Sequence, residues 1–339
     1  MPKPRLPLLV ALDDALIRTP AAHEAFWAAV ARDSTLPLRL GGALLLGGRS
    51  RLRAELARRA PPDAAHLPLR PEALALLKRW RRQRNAVILL ADPSDTPLAE
   101  ALAAHFGLID EVLALPPDPD ARADALAERF GARGFAYLGA SARDLPIWQA
   151  AGRVFSVGAT ATLRARLDAL DTPAEHLRDR PATAQDWADA LAAPGWAWNL
   201  AVFLALLGLA PGTDIAPALA PLAAVWLAFG MTGSGTALLR DLLRLEKLRA
   251  TDTSGPVASG RVPFRLATPL ALILPVAGVA LAAPFGALVL AALALAAAGP
   301  IIAEEHTLGR LAGGVLFRLG MIALRPFAGL VALGVPLTL

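Results

Sequence analysis

Residues 266–303, LATPLALILPVAGVALAAPFGALVLAALALAAAGPIIA, form an unbroken stretch without a charged side chain. Further apolar stretches follow Asp189, at 190–213, 215–239 and 311–339. A helix needs about 20 apolar residues to cross the hydrocarbon core of a bilayer. We therefore predict that the chain changes near Asp189 from a soluble, charge-rich domain to an all-α membrane domain.

Pro and Gly residues indicate where the apolar stretches divide into separate helices. Pro284-Phe285-Gly286 splits the stretch quoted above into two segments of nearly equal length. With this division, the sequence predicts about five transmembrane helices, at 193–212, 216–239, 265–283, 285–303 and 312–338.

The positions of Lys and Arg predict the orientation of these helices, because cytoplasmic loops are enriched in both residues. Six of them lie in segment 240–265, and Arg310 precedes the last predicted span. The linkers near 212 and 284 contain none, and residues 6–12 are too short to be the apolar core of a signal peptide. We expect a bacterial inner-membrane protein with a cytoplasmic N-terminal domain and its C-terminus outside.

Two arginines, Arg318 and Arg325, interrupt the last apolar stretch. They are seven residues apart and would therefore share one face of a helix. Charges within a membrane usually face a bundle interior, a cavity or a partner. Arg318 has the alternative of extending toward the cytoplasmic surface, whereas Arg325 lies deeper in the predicted span.

Composition excludes several classes of site. The chain has no Cys, so it has no disulfide, thiol nucleophile or thiolate metal site, and its five His residues include no i,i+4 pair. A His-built metal site is therefore not expected. The net charge of +5 fits the basic loops of a membrane protein better than a nucleic-acid surface. We expect membrane lipids and other membrane-protein subunits as partners, and no nucleic acid.

The first half of the chain alternates short apolar runs with helical patterns. The predicted strands are 8–12, 86–91, 109–113, 135–138 and 154–157. Such alternation indicates an α/β domain with a parallel sheet, in which function lies at the carboxyl ends of the strands. The predicted domains are a soluble domain over 1–158, a helical linker over 159–192 and a membrane domain over 193–339.

Two segments of the soluble half resemble motifs of haloacid-dehalogenase-like (HAD) domains. Val10–Ile17, VALDDALI, lies where the family has V-D-L-D-G-T-L-I. Phe135–Trp148, FAYLGASARDLPIW, resembles F-D-Y-x-G-N-S-x-x-D-L-P-V-W. The resemblance implies a HAD-like, Rossmannoid parallel sheet for the N-terminal domain.

Two segments of the second half resemble membrane prenyltransferases of the UbiA type. Pro256–Pro263, PVASGRVP, is similar to the R-P-x-A-S-G segment, and Leu324–Leu337 is similar to L-R-x-x-A-G-x-x-A-L-G-V-P-L. Together with the HAD-like motifs, they make nearly the whole chain resemble bacterial fusions of a HAD-like domain with a UbiA-type domain.

The chain departs from the HAD pattern where the chemistry of that family takes place. The resemblance puts Ala11 at the position of the aspartate nucleophile, while Asp13 remains at the acid/base position. Asp92 stands where a phosphate-binding Ser or Thr belongs, and Asp144 remains at the last metal position. Because alanine cannot form a phospho-aspartate, the resemblance implies a degenerate site with no catalytic residue.

The prenyl-diphosphate loop departs from its pattern as well. The family's N-D-x-x-D-x-x-x-D aligns with Arg240, Asp241, Arg244 and Leu248, and Asn199 keeps the Asn at the entry to the first span. The family's second aspartate-rich loop lies later than Leu339. Such enzymes use Mg²⁺ between two aspartate-rich loops to ionise a prenyl diphosphate, so the resemblance implies a degenerate site here too.

The basic loop has two interpretations. Glu246 and Asp252 could replace lost metal ligands, but so few carboxylates among basic residues such as Arg261 make a poor Mg²⁺ site. Arg240 and Arg244 could instead hold a phosphate directly. The alternative is an ordinary positive-inside loop, and we predict no bound metal.

These observations leave two functional hypotheses. The preferred one is a non-catalytic HAD/UbiA-like membrane protein that serves as an accessory or assembly subunit of a larger membrane complex and binds lipid or isoprenoid, without a cofactor. The alternative is a residual polyprenyl or aromatic prenyltransferase that a partner chain completes, and that would require Mg²⁺.

Overall fold

The computed structural model describes residues 6–33, 35–36, 52–251, 254–305 and 313–335, with side chains described in these ranges except at 300–305 and 313–319. The chain divides into two compact units. Unit 1 comprises Met1–Pro181, Leu243–Ser254 and Ala258–Pro263. Unit 2 comprises Ala182–Leu242, Gly255–Val257 and Phe264–Leu339.

Unit 1 is an α/β fold around a parallel sheet. Within the described residues the strands are β1 Leu8–Ala11, β2 Val87–Ala91, β3 Glu111–Ala114, β4 Ala136–Gly139, β5 Arg153–Val157 and β6 Ala174–Leu177. Their order is β3-β2-β1-β4-β5-β6, and every neighbouring pair is parallel. Central strands that are buried on both faces have continuous apolar sequences, as in β1 (LLVA) and β2 (VILLA).

Helices cover both faces of this sheet. In the described residues of unit 1 the α-helices are Ala21–Arg32, a helix over 52–59, Pro71–Arg82, Thr96–Phe106, Pro119–Phe130, Leu145–Ala150, Ala161–Asp168 and Leu245–Thr251. Alternate residues of the strands point to opposite faces. Val10 and Leu89 enter one apolar core, while Leu9 and Ile88 enter the other.

The segment 159–192 differs from the helical linker predicted for it. It contains helices at Ala161–Asp168 and Ala184–Ala190, but between them β6 pairs with β5 and extends the sheet. The sequence of β6, AEHL, is half-buried throughout and lacks the apolar alternation that identifies a strand. Its strand conformation comes from pairing at the sheet edge, which a local pattern does not encode.

The segment Leu243–Ser254 belongs to unit 1 through a buried ion pair. Arg249 donates to both carboxylate oxygens of Glu24, from Nη1 at 2.5 Å and from Nη2 at 2.9 Å. The two side chains are only 5% and 3% exposed. Arg249 Nε also donates to the Ala258 carbonyl at 2.9 Å, and Thr19 Oγ1 donates to Glu24. All the polar groups of the pair therefore lie in one hydrogen-bonded cluster.

Unit 2 is helical. Its described helices are Ala184–Ala190, Gly195–Asn199, a 3₁₀ helix Leu200–Gly208, Ala216–Leu243, Phe264–Ala282 with a 3₁₀ turn Ala283–Phe285, Ala287–Glu305 and Gly313–Ala332. Its apolar core contains Leu222, Phe229, Val289 and Leu293. Outside this core many large apolar side chains are exposed, including Leu207 at 84%.

Among the described residues, two helices are long and apolar enough to cross a membrane, Ala216–Leu243 and Phe264–Phe285. A third is obtained if Ala184–Ala190 and Gly195–Gly208, which meet at a 52° bend, count as one span. Shorter apolar helices run over Ala287–Gly299 and Gly320–Ala332. The five-span topology therefore remains a prediction, while the helical character of the region and its membrane-compatible helices are present in the structure.

Candidate functional site

The first candidate site lies at the carboxyl edge of the sheet in unit 1. Asp13 and Asp14 follow β1, Asp92 and Asp95 follow β2, and Asp144 follows β4. Parallel neighbouring strands bring these carboxylates to one edge. Asp14 has a positive φ of 62°, a left-handed conformation that Asp tolerates better than most residues.

Ala11 is the last residue of β1 and aligns with Leu90 of β2. Its methyl group stands where the HAD resemblance would require an aspartate nucleophile. The Asp13 carboxylate is held by the backbone, since its Oδ1 accepts from the Ala21 amide at 2.9 Å. The edge of the sheet therefore retains the predicted acid/base position but offers no carboxylate at the nucleophile position.

Arg53, from the helix over 52–59, joins three of the carboxylates. Its Nη2 lies 3.0 Å from Asp13 Oδ2 and 2.9 Å from Asp95 Oδ2, and its Nη1 lies 2.6 Å from Asp92 Oδ2. Asp95 is 5% exposed and Asp92 15%. A guanidinium has five donors in a planar fork, which allows one side chain to bond all three groups.

Arg122 is a second guanidinium at this edge. It donates to Asp92 and to the carbonyl of Pro116, with a longer contact to the Leu115 carbonyl at 3.4 Å. This arginine is therefore paired with a carboxylate. Asp92 is thus bonded to both Arg53 and Arg122.

Asp144 is held by backbone donors at the end of β4. Its Oδ2 accepts from the amides of Ala140 at 3.2 Å and Ser141 at 3.1 Å. Burial raises the pKa of this carboxyl, although these two hydrogen bonds oppose the shift. Gly139 makes the close packing possible, because a Cβ there would lie 2.6 Å from Asp144 Oδ2.

Stability is expected to depend on the protonation of Asp13. Burial, reinforced by Asp95, raises the pKa of Asp13 to about 7. A carboxyl whose pKa is raised on folding binds its proton more tightly in the folded state, so unit 1 should become more stable as the pH falls from 8 to 6, by about 1 kcal/mol. Thermal unfolding at the two pH values measures this change.

The variant Asp13→Asn should remove that pH dependence while keeping an acceptor for the Ala21 amide. Asp124→Asn, on an exposed position of the Pro119–Phe130 helix, is the control and should behave like the unaltered protein. An unchanged pH response in Asp13→Asn would show that another group is responsible.

The second candidate site is a cavity of about 190 Å³ inside unit 2. Its lining combines two arginines with Asn, Trp, Ser and Thr side chains and small apolar residues. Among the lining residues are Trp196, Asn199, Phe229, Thr232, Ser234, Arg240, Leu293 and Arg325.

Arg325 is fixed in position at this cavity. Its Nε donates to Asn199 Oδ1 at 2.7 Å and its Nη1 to the Met321 carbonyl at 2.5 Å. The guanidinium also lies 5.6 Å from the centre of the Phe229 ring, a cation–π distance. The deeper of the two predicted intramembrane arginines is therefore beside the Asn of the predicted prenyl-diphosphate site.

The polar residues of the cavity wall are largely hydrogen-bonded to one another. Trp196 Nε1 donates to Ser234 Oγ at 2.9 Å, and Ser234 Oγ donates to the Leu191 carbonyl at 2.6 Å. In contrast, Thr232 Oγ1 is buried without a hydrogen-bond partner among the described residues. An unpaired buried hydroxyl of this kind needs an explanation, such as a water or a ligand atom.

The remaining residues of the predicted loop site are divided between the two units. Asp241 pairs with Arg240 at 3.3 Å. Arg244, Glu246 and Arg261 belong to unit 1. Glu246 pairs with Arg32 at 3.0 Å, and Arg261 Nη2 donates to the Ser254 carbonyl at 2.7 Å.

Two predicted residues cannot be placed in either site. Asp252 lies outside the described residues, and the side chain of Arg318 lies outside the described side chains. In the part of the chain that the structure describes, no group of three or more His, Asp or Glu residues is arranged to hold a metal ion.

Sequence reasoning missed Arg53, Thr232 and Ser234 as site residues. Arg53 lies in an Arg-rich segment between β1 and β2, and nothing in its spacing indicates that it reaches the carboxylates after both strands. Thr232 and Ser234 lie in an apolar helix and are followed by Gly235, so they have the composition of an ordinary membrane helix. Only the three-dimensional arrangement identifies them.

No family model matches the chain. An uncharacterized protein of Sinorhizobium fredii, y4nM, is 29% identical over 265 residues, which cover 76% of this chain and 51% of that protein. The chain therefore spans about half the length of the curated relative that it matches.

Solved structures that resemble the chain cover about half of it. A protein of unknown function from Bordetella pertussis Tohama I has a TM-score of 0.38 at 14% identity, over 51% of this chain and 98% of that one. Phosphoserine phosphatase in its apo form has a TM-score of 0.36 at 15% identity, over 52% of this chain and 94% of that one. A HAD-superfamily hydrolase from Ehrlichia chaffeensis has a TM-score of 0.31 at 16% identity, over 52% of this chain and 92% of that one.

Proposed function

We propose that this protein is a non-catalytic HAD/UbiA-like protein of the bacterial inner membrane. In this proposal it binds a phosphate-bearing isoprenoid or lipid and serves as an accessory or assembly subunit of a larger membrane complex. Its α/β unit is cytoplasmic and its C-terminal side lies outside. The observation that carries the proposal is the cavity in unit 2 that Arg240 and Arg325 line together.

The cavity has the donors that a phosphate requires. Cationic side chains among apolar helices are costly unless an anion, a dipole or water compensates them. Guanidinium groups form short, charge-assisted hydrogen bonds with phosphate oxygens. Arg325 is already oriented by Asn199, so less conformational entropy is lost when a ligand binds. The unpaired Thr232 hydroxyl offers one more hydrogen bond.

Magnesium does not fit this cavity. Mg²⁺ prefers carboxylate and water oxygens in octahedral geometry, whereas the described residues that line the cavity include no carboxylate. The neighbouring Asp241 is bonded to Arg240. We therefore propose that the two arginines bind the phosphate directly, without a metal ion.

Unit 1 supports the non-catalytic part of the proposal. A HAD phosphatase needs a carboxylate nucleophile, and Ala11 has none. The neighbouring carboxylates are already paired with arginines: Asp13 with Arg53, and Asp92 with both Arg53 and Arg122. Among the described residues of this edge, the nucleophile position therefore has no carboxylate, and arginines pair with the carboxylates beside it.

Binding of a polyprenyl phosphate to the full-length chain in detergent tests the proposal. Native mass spectrometry would compare this ligand with the polyprenol of equal chain length, which lacks the phosphate. We expect the phosphate to bind at least about tenfold more tightly, because charged hydrogen bonds each contribute about 1.5–3 kcal/mol. Phosphatidic acid, as a third ligand, distinguishes isoprenoid from general lipid binding.

Variants of the cavity arginines make the test specific. Arg240→Gln combined with Arg325→Gln should remove the preference for the phosphate. Arg265→Gln, at an exposed position of the same unit, should keep it. Equal binding of phosphate and alcohol by the unaltered protein would contradict the proposal.

One observation favours the alternative of a prenyltransferase completed by a partner chain. Asn199 and Arg240, which align with two positions of the family's diphosphate site, do line one cavity. Mg²⁺-dependent transfer of a prenyl group to an aromatic acceptor by the purified protein, alone or with a partner chain, would establish the alternative in place of the accessory role.

A further inference from the structure

A basic groove lies on the surface of unit 1, between the helix Pro71–Arg82 and the end of the edge strand β6. Its volume is about 590 Å³. Ala75, Leu76 and Leu177 supply apolar surface along it. The groove is also lined by three arginines, Arg79, Arg82 and Arg178. Apolar surface beside cations is the combination that binds an anionic membrane interface.

The positive charge of the basic groove is only partly compensated by carboxylates. Arg79 pairs with Glu175 at 2.7 Å. Arg82 and Arg178 are exposed and form no ion pair with the described residues. Arg82 Nε donates to the Lys78 carbonyl at 3.4 Å, which leaves its charge uncompensated. Both charges are therefore available to a ligand from outside.

The exposed side of the same helix enlarges this positive surface. Residues 78–84, KRWRRQR, include five basic residues in seven positions. Arg81 pairs with Asp110. Lys78 and Arg84 are exposed and form no ion pair with the part of the chain that the structure describes. The unpaired charge thus extends along the helix beyond the groove itself.

Glu72 is the carboxylate among the described residues of the groove wall. It is half-buried, and its Oε2 lies 3.9 Å from the Arg18 guanidinium. The unpaired cations at 78, 82, 84 and 178 therefore outweigh one carboxylate that already has an arginine beside it. A surface with this excess of one sign attracts a partner of the opposite charge.

We propose that the basic groove docks on the anionic phospholipid head groups of the bilayer. Basic clusters that adjoin membrane-spanning segments bind such head groups. Unit 1 includes Leu243–Ser254, which continues directly from Ala216–Leu243, a helix long and apolar enough to cross a membrane. This covalent link gives the groove a high effective concentration of lipid.

The source of the phosphates is the lipid surface. A nucleic acid also offers phosphates, but the apolar lining of the groove and its link to an apolar helix favour lipid. The proposal rests on the membrane attachment proposed above and is independent of ligand binding in the cavity of unit 2.

A single fluorophore tests the proposal in the full-length protein, because a chain without Cys can be labelled at one introduced cysteine. Gln83→Cys places the label at an exposed position of the groove. The protein is reconstituted in nanodiscs of phosphatidylcholine, with or without phosphatidylglycerol, that contain a lipid with a nitroxide quencher on its head group. We expect stronger quenching in the discs with phosphatidylglycerol, and high salt should weaken it by screening.

A second label position provides the control for this measurement. Ala121 is exposed on the helix Pro119–Phe130, which packs against the opposite apolar core from the helix Pro71–Arg82. The label of Ala121→Cys should therefore be quenched equally in the two kinds of disc.

Charge variants make the test specific to the groove. Lys78→Gln, Arg82→Gln and Arg178→Gln, combined, should lower the ratio of docked to undocked molecules in the anionic discs by more than about tenfold. The matched control changes the net charge equally at exposed arginines of helices that pack against the other core, and it should keep the quenching. It combines Arg129→Gln, Arg164→Gln and Arg166→Gln.

Equal quenching of the Gln83→Cys label in the two kinds of disc would overturn the proposal, as would quenching in anionic discs that survives the triple change in the groove. A label that responds to transfer RNA in neutral discs, and not to phosphatidylglycerol, would assign the groove to nucleic acid instead. A chain that enters neither disc would contradict the membrane attachment as well, whereas a chain that enters both without lipid-dependent quenching contradicts the groove alone.

Discussion

Replacing Glu24 with Gln should lower the free energy of unfolding of unit 1 by about 3–5 kcal/mol, because breaking a buried ion pair leaves a charge without compensation. The Arg249 guanidinium would keep its contact with the Ala258 carbonyl but would lose the Glu24 carboxylate, which accepts from both of its terminal nitrogens. At 5% exposure it could not recover that loss through water. Denaturant unfolding of the full-length protein in detergent measures the change.

The exposed pair Arg32–Glu246 is the matched control for this prediction. It joins the same two segments of unit 1 at 3.0 Å, but its side chains are 52% and 49% exposed. Arg32→Gln should therefore cost less than about 1 kcal/mol. Hydrogen exchange over residues 243–251 should increase in Glu24→Gln and not in Arg32→Gln. Equal effects of the two substitutions would show that burial does not set the strength of these pairs.

A double-mutant cycle separates the pair from its surroundings. Glu24→Gln combined with Arg249→Met removes both charges and leaves no buried ion. The loss in stability should then be smaller than the sum of the two single losses, with a coupling energy of about 0.5–3 kcal/mol. Additive losses would assign the effect to packing and not to charge pairing.

Replacing Gly278 with Ala should destabilise unit 2 by about 1–3 kcal/mol or more, through overpacking. A Cβ at this position would lie 2.2 Å from Thr232 Oγ1 and 2.8 Å from the Ala228 carbonyl oxygen. The Phe264–Ala282 helix would have to move away from the Ala216–Leu243 helix. Small residues at such contacts allow close backbone approach, which stabilises helix pairs in lipid.

Gly320 provides the control for this substitution. It also lies within a helix of unit 2, but a Cβ there would meet nothing within 4 Å. Gly320→Ala should therefore be neutral or stabilising, because Ala favours helices over Gly by about 1 kcal/mol. Melting temperatures in one detergent compare the two variants. A Gly278→Ala protein as stable as Gly320→Ala would show that the close contact is dispensable.

The parts of the fold that sequence predicted well are those with strong local signals. The apolar runs of β1 and β2 are buried along their length, and both are followed by the acidic residues that mark the sheet edge. β6 had no such signal, because its AEHL sequence is only half-buried at an edge. In unit 2, hydropathy located the apolar helices but not the bend before Gly195 or the 3₁₀ conformation of Leu200–Gly208.

The candidate sites were predictable to a lesser degree. Motif alignment selected Ala11, Asp13, Asp92 and Asp144, and the structure places all four at or shortly after the ends of strands. It could not identify Arg53, since the contact between Arg53 and Asp13 joins residues 40 positions apart without any local constraint. Similarly, Arg325 is 126 residues from Asn199, and only the packing of unit 2 brings the two together.

The division of unit 1 along the chain also constrains its biosynthesis. Glu24 is made early, whereas Arg249 and Ala258 follow only after the apolar Ala216–Leu243 helix has been translated. The buried pair therefore cannot form while the α/β segment first emerges from the ribosome. Until Arg249 has been made, the Glu24 carboxylate lacks this partner and has to remain hydrated. Unit 1 is therefore completed only after an apolar helix has emerged.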